Sequence, residues 1–177
     1  MHREELVVLV DTLDREIGVK EKLRAHQEGD LHRAFSIVLF NKKGEMLLQQ
    51  RAFSKYHSGG LWTNTCCSHP RPHEPVLEAA HRRLKEEMGI RCTLHKQLEF
   101  IYRAELSSGL IEHEFDHVFA GEFEGEPLPN PEEVASAKWV EFDALKKDLI
   151  QHPEIYTAWF KLLLPQLARP AQFRAQR

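Results

Sequence analysis

Residues 63–90 read TNTCCSHPRPHEPVLEAAHRRLKEEMGI. The second half of this stretch has the marks of a helix. Pro75 suits a first helical turn and Gly89 a C-terminal stop, so a helix is expected from near Pro75 to Gly89. Leu77, Ala80 and Leu84 recur at helical spacing and predict its buried stripe. Arg83 and Glu87 lie four apart and share one face, while Arg82 and Glu86 share another. The first half carries neighbouring thiols, Cys66 and Cys67, followed by His69 and His73.

Outward from this segment the chain alternates strands and helices. Residues 6–10 read as a first strand, and residues 11–18 as a turn and return. Residues 19–28 are expected to form a short helix or turn carrying Lys22 and ending near His26. The near-continuous apolar run 34–40 predicts a strand covered on both faces. Residues 41–45 turn it into a hairpin partner at 46–51, and 54–60 form a polar loop leading to Trp62. Residues 100–104 and 112–123 read as strands around the Ser107-Ser108-Gly109 turn. A last strand is expected at 138–140, with helices over 143–150 and 153–164. Residues 169–177 read as a frayed polar tail after one domain spanning 1–168. The fold class is therefore mixed α/β, a mixed sheet with helices in a single domain.

Composition excludes several function classes. The chain has 177 residues, 42% of them hydrophobic and 29% charged, which fits one ordinary globular domain. A formal net charge of −3 gives no electrostatic footprint for nucleic acid. No segment approaches the ~20 apolar residues of a transmembrane helix, and nothing near the N-terminus resembles a signal peptide. The expected address is cytoplasmic, with neither membrane nor obligate protein partner. Adjacent cysteines sit about 3.8 Å apart at Cα, below the usual disulfide range of roughly 4.4–6.8 Å. Cys66 and Cys67 are therefore expected as free thiols, and Cys92 as a small buried hydrophobe.

Several residues could carry chemistry. A strand at 111–115 puts Glu112 and Glu114 on one face and His113 on the other. Two carboxylates on one face repel each other unless a cation lies between them. With His26, His32 and His69 they form a donor set suited to manganese, zinc or iron rather than calcium. Taken singly, each of these histidines is better explained as exposed or satisfied by backbone. Cys67 and His69, with Cys66 and His73, could instead hold a structural zinc, although no second cysteine knuckle exists. A proton-transferring thiol is the alternative, and an inert buried thiol stands beside both. Lys22, Arg51, Lys55 and Arg83 form a candidate anion clamp, and Glu87 a candidate Mg²⁺ ligand. For each of these basic residues a solvated surface charge is the plainer explanation, and for Trp62, Trp139 and Trp159 core packing is.

Glu74, Arg82, Leu84, Glu86, Glu87, Gly89 and Ile90 match the Nudix pattern G-x5-E-x7-R-E-hydrophobic-x-E-E-x-G-hydrophobic. Ser68 stands in place of its glycine, and Arg83 in place of its first helix glutamate. The second departure reverses a charge at a metal-binding position. Further strings are Arg51-Ala52-Phe53-Ser54-Lys55, Trp62-Thr63-Asn64-Thr65-Cys66-Cys67-Ser68-His69-Pro70, Tyr102-Arg103-Ala104 and Glu112-His113-Glu114. With them the chain, from about Val7 to Trp159, resembles the type 1 isopentenyl diphosphate isomerases, the metal-dependent Nudix-fold branch. Arg83 and the Cys-Cys-Ser-His-Pro string occur in that family.

The resemblance implies a Nudix-type sheet between helices with a pocket over the sheet. It implies Mn²⁺ or Zn²⁺ on His26, His32, His69, Glu112 and Glu114. It also implies Mg²⁺ held through Glu87, the substrate diphosphate and the Cys67 backbone oxygen, and no flavin. Lys22, Arg51, Lys55 and Arg83 would grip the diphosphate. Cys67 and Glu114 would exchange protons with the substrate, Tyr102 would hydrogen-bond Glu114, and Trp159 would face a carbocation. Two other classes remain beside it: a Nudix diphosphate hydrolase, disfavoured by Arg83, and a non-catalytic module stabilised by zinc.

Overall fold

The computed structural model describes residues 5–168. The tail expected at 169–177 lies outside the described residues. Nine strands form one mixed sheet: β1 (Leu6–Val10), β2 (Glu16–Glu21), β3 (His32–Phe40), β4 (Glu45–Arg51), β5 (Trp62–Thr63), β6 (Cys66–Ser68), β7 (His95–Glu105), β8 (Ile111–Glu122) and β9 (Val134–Glu141). Four helices accompany them: α1 (Lys22–Glu28), α2 (Val76–Met88), α3 (Phe142–Gln151) and α4 (Ala158–Leu163). Among the described residues no helix is long and apolar enough to cross a membrane.

β3 is the spine. It runs parallel to β8 along its whole length, from His32 opposite Glu114 to Phe40 opposite Glu122. Its other edge is shared by β1 at His32, β6 at Phe35 to Ile37, and β4 at Phe40. Both faces are covered, as its unbroken apolar run predicts. Phe35, Ile37 and Leu39 pack with Leu47 and with Ala79, Ala80, Leu84 and Met88 of α2. Val38 and Phe40 face the opposite way, toward Phe142 and Leu145 of α3 and Trp159, Phe160 and Leu163 of α4. Period-two alternation along one strand thus feeds two separate cores.

Four local expectations need correction. The segment 19–28 is not one helix. Val19 pairs with Val8 in the β1–β2 hairpin, and α1 starts at Lys22 because the Glu21 carboxylate accepts from the backbone N–H of Leu23 and Arg24. On α2 the stripe is rotated: Leu77 is 42% exposed, while Ala79, Ala80, Leu84, Glu87 and Met88 are buried. The expected helix over 153–164 is broken, because Thr157 is extended and caps α4 by accepting from the Phe160 N–H. Cys92, expected as a small buried hydrophobe, lies in an irregular segment and is only partly buried against the α2 core.

α2 ends as its sequence predicts. Gly89 adopts φ 66°, and its N–H bonds the Lys85 carbonyl. A Cβ at Gly89 would lie 2.8 Å from the Leu128 side chain, so glycine answers both conformation and space.

Candidate active site

The face of β3 that turns toward α3 and α4 becomes polar at its N-terminal end. Counting back by twos from Val38 gives Ser36, Ala34 and His32 on that face. On β8 the same parity sets Asp116, Glu114 and Glu112 in line with Val118 and Ala120. Tyr102 of β7 is the register partner of Glu114, so Tyr102, Glu114 and His32 form one row across three strands. β6 adds Cys67 beside Ser36. Parity and register alone therefore bring these groups together.

His26 from α1 and His69, just after β6, complete the donor set. One ligand atom from each of His26, His32, His69, Glu112 and Glu114 lies within 4.8 Å of all the others. Glu114 Oε1 is 3.0 Å from His69 Nε2 and 3.5 Å from His32 Nε2, and Glu112 Oε2 is 3.3 Å from His26 Nε2. The Nδ1 atoms of His26 and His32 sit 2.7 Å and 2.9 Å from the carbonyls of Lys22 and Asp30. A carbonyl can only accept, so both Nδ1 atoms carry hydrogen and both Nε2 atoms aim into the cluster, where a neutral ring offers a lone pair. His26 Nε2 and Glu112 Oε2 are buried without a hydrogen-bond partner among the described residues. A divalent cation satisfies these inward-facing acceptors together, so the donor set fits such an ion. Neither Cys66 nor Cys67 joins the group, and His73 stays out of it too, which removes the cysteine-based zinc reading among the described residues.

A cavity of about 530 Å³, its open mouth included, lies over this row. Its walls carry Lys22, Arg51, Lys55 and Arg83 together with Cys67, His69, Glu87, Tyr102, Glu112, Glu114 and Trp159. Arg51 Nε, Arg83 Nε and the Trp159 indole N–H are buried donors with no acceptor among the described residues. The Arg51 guanidinium lies 5.2 Å from the Trp159 ring centroid, and its Nη2 donates to the His57 carbonyl. Arg83 bonds Glu87 Oε1 at 2.6 Å and Glu86 at 2.7 Å and reaches Glu133 at 3.3 Å. Lys55 also pairs with Glu133, and Lys22 with Glu5.

The two cysteines diverge. Cys66 is fully buried in the α2 core, its sulfur 3.4 Å from Glu87 Oε2. Cys67 donates its S–H to Asn64 Oδ1 at 3.0 Å. That oxygen is fixed in place because the Asn64 amide donates to the carbonyls of Ile37 and Cys66. Thr65 ties the same segment to β3 and β4 through Leu39 N–H and the Leu47 carbonyl. The Thr-Asn-Thr string is thus a buried polar brace that aims Cys67.

Electrostatics assign protonation. Burial, with Asp116 nearby, pushes the Cys67 thiol up, so it is neutral near pH 7. Burial works against ionisation of Glu114, but hydrogen bonds and charge from His32 and the Tyr102 hydroxyl, 2.6 Å from Oε2, bring it down to about 2. Burial and the Glu114 charge raise Asp116 well above the usual carboxylate range.

Sequence reading missed four groups here. Asp116 shares the parity of Glu112 and Glu114, a signal that was readable. Ser36 donates to Asp116 at 2.7 Å and lies 3.6 Å from Cys67 Sγ. Glu133 and His57 come from loops, where no periodicity points to them. His57 is buried and lowered to about 3, chiefly by burial.

Known proteins similar to this chain are numerous. The NUDIX domain family matches residues 30–160. A protein of Aromatoleum aromaticum named isopentenyl-diphosphate Delta-isomerase 1 is 52% identical over 93% of each chain. The isopentenyl-diphosphate Delta-isomerase of Burkholderia multivorans is 49% identical over 97% of each. In fold alone, a Deinococcus radiodurans protein, DR0079, superposes with a TM-score of 0.79 at 18% identity, covering 93% of this chain and all of that one. A MutT protein of Methanosarcina mazei follows at 0.62, with 19% identity over 83% of this chain. The chain belongs to the isopentenyl-diphosphate Delta-isomerase family, carried on a NUDIX domain.

Proposed function

We propose that this protein interconverts isopentenyl and dimethylallyl diphosphate. The observation that carries the reading is the pairing, around one cavity, of buried donors lacking acceptors with an inward-facing acceptor cluster. The donors of Arg51 and Arg83, with Lys22 and Lys55, suit a diphosphate. His26, His32, His69, Glu112 and Glu114 suit Mn²⁺ or Zn²⁺. Glu87 and the Cys67 backbone oxygen suit Mg²⁺ shared with the diphosphate. Those three histidines and two glutamates would hold the ion, which would supply Lewis acidity that makes Glu114 a stronger acid.

The reaction moves a double bond from C3–C4 to C2–C3. One proton is added at C4, leaving a tertiary cation at C3, and one is removed from C2. Glu114, held by Tyr102, acts at C4, and Cys67 acts at C2. One direction starts with the proton on Cys67, which protonates C2 while Glu114 takes the proton from C4. The opposite direction starts with the proton on Glu114. The Trp159 ring, fixed by α4, faces the cation, a contact worth about 2 kcal/mol when desolvated. Water must be kept out during turnover, since it would trap that cation.

This reading needs no flavin, nucleic acid, membrane or protein partner. The free thiols of Cys66, Cys67 and Cys92 support a reducing, cytoplasmic setting for the enzyme. Proton NMR of isopentenyl diphosphate with enzyme and Mg²⁺ in D₂O tests it. Deuterium entering both allylic isomers without free phosphate supports isomerisation. Phosphate release would establish the hydrolase instead, and unfolding on chelation without turnover would establish the binding module.

A further inference from the structure

His57 has no place in the chemistry above, yet it is only 8% exposed and touches three parts of the site. It sits in the loop between β4 and β5, where its carbonyl accepts from Arg51 Nη2 at 3.2 Å. Its ring Nε2 lies 3.4 Å from Glu112 Oε1, and its Nδ1 lies 3.2 Å from the Ser58 hydroxyl. Its ring meets the Trp159 indole edge-on, centroids 5.8 Å apart, and stacks on His26 at 6.1 Å.

We infer that His57 is a positioning residue that holds the outer oxygen of Glu112 and seats the Trp159 indole. This rests on the metal site and isomerase reading proposed above. The two oxygens of Glu112 have different surroundings. Oε2 turns toward His26 Nε2 in the ligand cluster, and Oε1 turns toward His57. A carboxylate can rotate about its last bond, so one oxygen stays aimed at the cluster only if something restrains the other. A carboxylate oxygen can only accept, so the ring hydrogen belongs on Nε2, 3.4 Å from Glu112 Oε1, and Nδ1 is left to accept from the Ser58 hydroxyl. His57 lies outside the five-residue donor group, so its part is orientation rather than ligation. The same ring forms the wall against which Trp159 rests, and the loop that carries it also receives Arg51. One side chain thus sets the metal-ligand carboxylate and the aromatic face together.

The test compares wild type, His57→Leu and His57→Gln, with Glu114→Gln as a control at the ligand cluster itself. Leucine keeps the bulk but has no donor; glutamine keeps an N–H at similar reach. Mn²⁺ affinity is measured by chelator competition without substrate, together with the visible spectrum of the Co²⁺-loaded protein. His57→Leu is expected to weaken Mn²⁺ binding ~10–100-fold and to alter the Co²⁺ bands. It should also lower kcat, with KM for the diphosphate changed less than about threefold. His57→Gln should recover most of the affinity. If His57→Leu misfolds by circular dichroism, His57→Gln and Ser58→Ala, which frees the ring, carry the test. Ser58→Ala is then expected to weaken Mn²⁺ binding several-fold. Wild-type affinity and an unchanged Co²⁺ spectrum in His57→Leu, or in Ser58→Ala should it replace it, would overturn the inference, as would a His57→Gln variant no better than leucine. If wild type and Glu114→Gln bind Mn²⁺ equally, the metal site itself has failed. If wild type binds metal but isomerises nothing, the activity has failed while the positioning result stands.

Discussion

Cys66 and Cys67 differ by one position, and the β6 pleat sends them to opposite sides of the sheet. Cys67→Ala removes a group proposed to act on the substrate, and kcat should fall ~10²–10⁴-fold, the usual contribution of one acid–base group. Cys66→Ala removes a sulfur from the α2 core and should cost about 1 kcal/mol of stability while keeping turnover within tenfold. Rates beside thermal midpoints for the two variants decide this, and a dead Cys66→Ala with an active Cys67→Ala would reverse the assignment. Arg83 is set among Glu86, Glu87 and Glu133, with Nε left free inside the cavity wall. Arg83→Ala should raise KM for the diphosphate by a contact worth roughly 1.5–3 kcal/mol, and an unchanged KM would make the residue purely structural. At this scale legibility followed periodicity. Glu112 and Glu114 were readable because strand parity is regular. His57 was not, because a loop offers no period and burial comes from chain segments distant in sequence.

The elements show where local signals were enough and where they failed. β3 was legible because an apolar run with no polar break must be covered twice. α2 was legible from Pro75 and Gly89, but its face was misjudged by taking Leu77 as core. Which leucine is buried depends on where the helix lands on β3, β4 and β6, information absent from the helix alone. The missing cap on α2 is also informative. Pro75 offers no side-chain acceptor, and Glu74 just before it binds Arg82 through two bonds of 2.7 Å and 2.9 Å and accepts from Arg71 N–H. These contacts, Arg82 first, hold the Glu74 carboxyl below its usual value. A depressed carboxylate stabilises the fold fully above its unfolded pKa, near 4.5, and that stability is lost as pH falls through the folded value. Glu74→Gln should therefore cost about 0.5–1 kcal/mol at pH 7. The difference from wild type should shrink as pH drops below about 4.5. Urea unfolding of both proteins at pH 7 and pH 3.5 measures it, and a difference that grows on acidification would refute the tether.

The five metal-ligand candidates are distributed across the whole molecule. His26 comes from α1, His32 from β3, His69 from the end of β6, and Glu112 and Glu114 from β8. Unfolding separates all of these elements, so an ion bound here stabilises the native state by mass action. At a free concentration of ~100 Kd the gain is about 2.7 kcal/mol. For a chain of this size ~1 kcal/mol moves the midpoint by roughly 2–4 °C, so saturation should raise Tm by about 5–11 °C. Stripping the protein with a strong chelator and adding back Mn²⁺ or Zn²⁺ during thermal scans measures the shift. Glu114→Gln should lose most of it, because an amide is the poorer ligand. His113→Ala, whose ring points off the opposite face toward the Gly29 carbonyl, should keep it. Equal metal-induced shifts in wild type and Glu114→Gln would place the ion elsewhere. The same geometry links stability to the reaction. The cluster that ties α1 to β8 also orients Glu114, so losing the ion should loosen the α1 wall of the cavity and disarm the proton donor in one step.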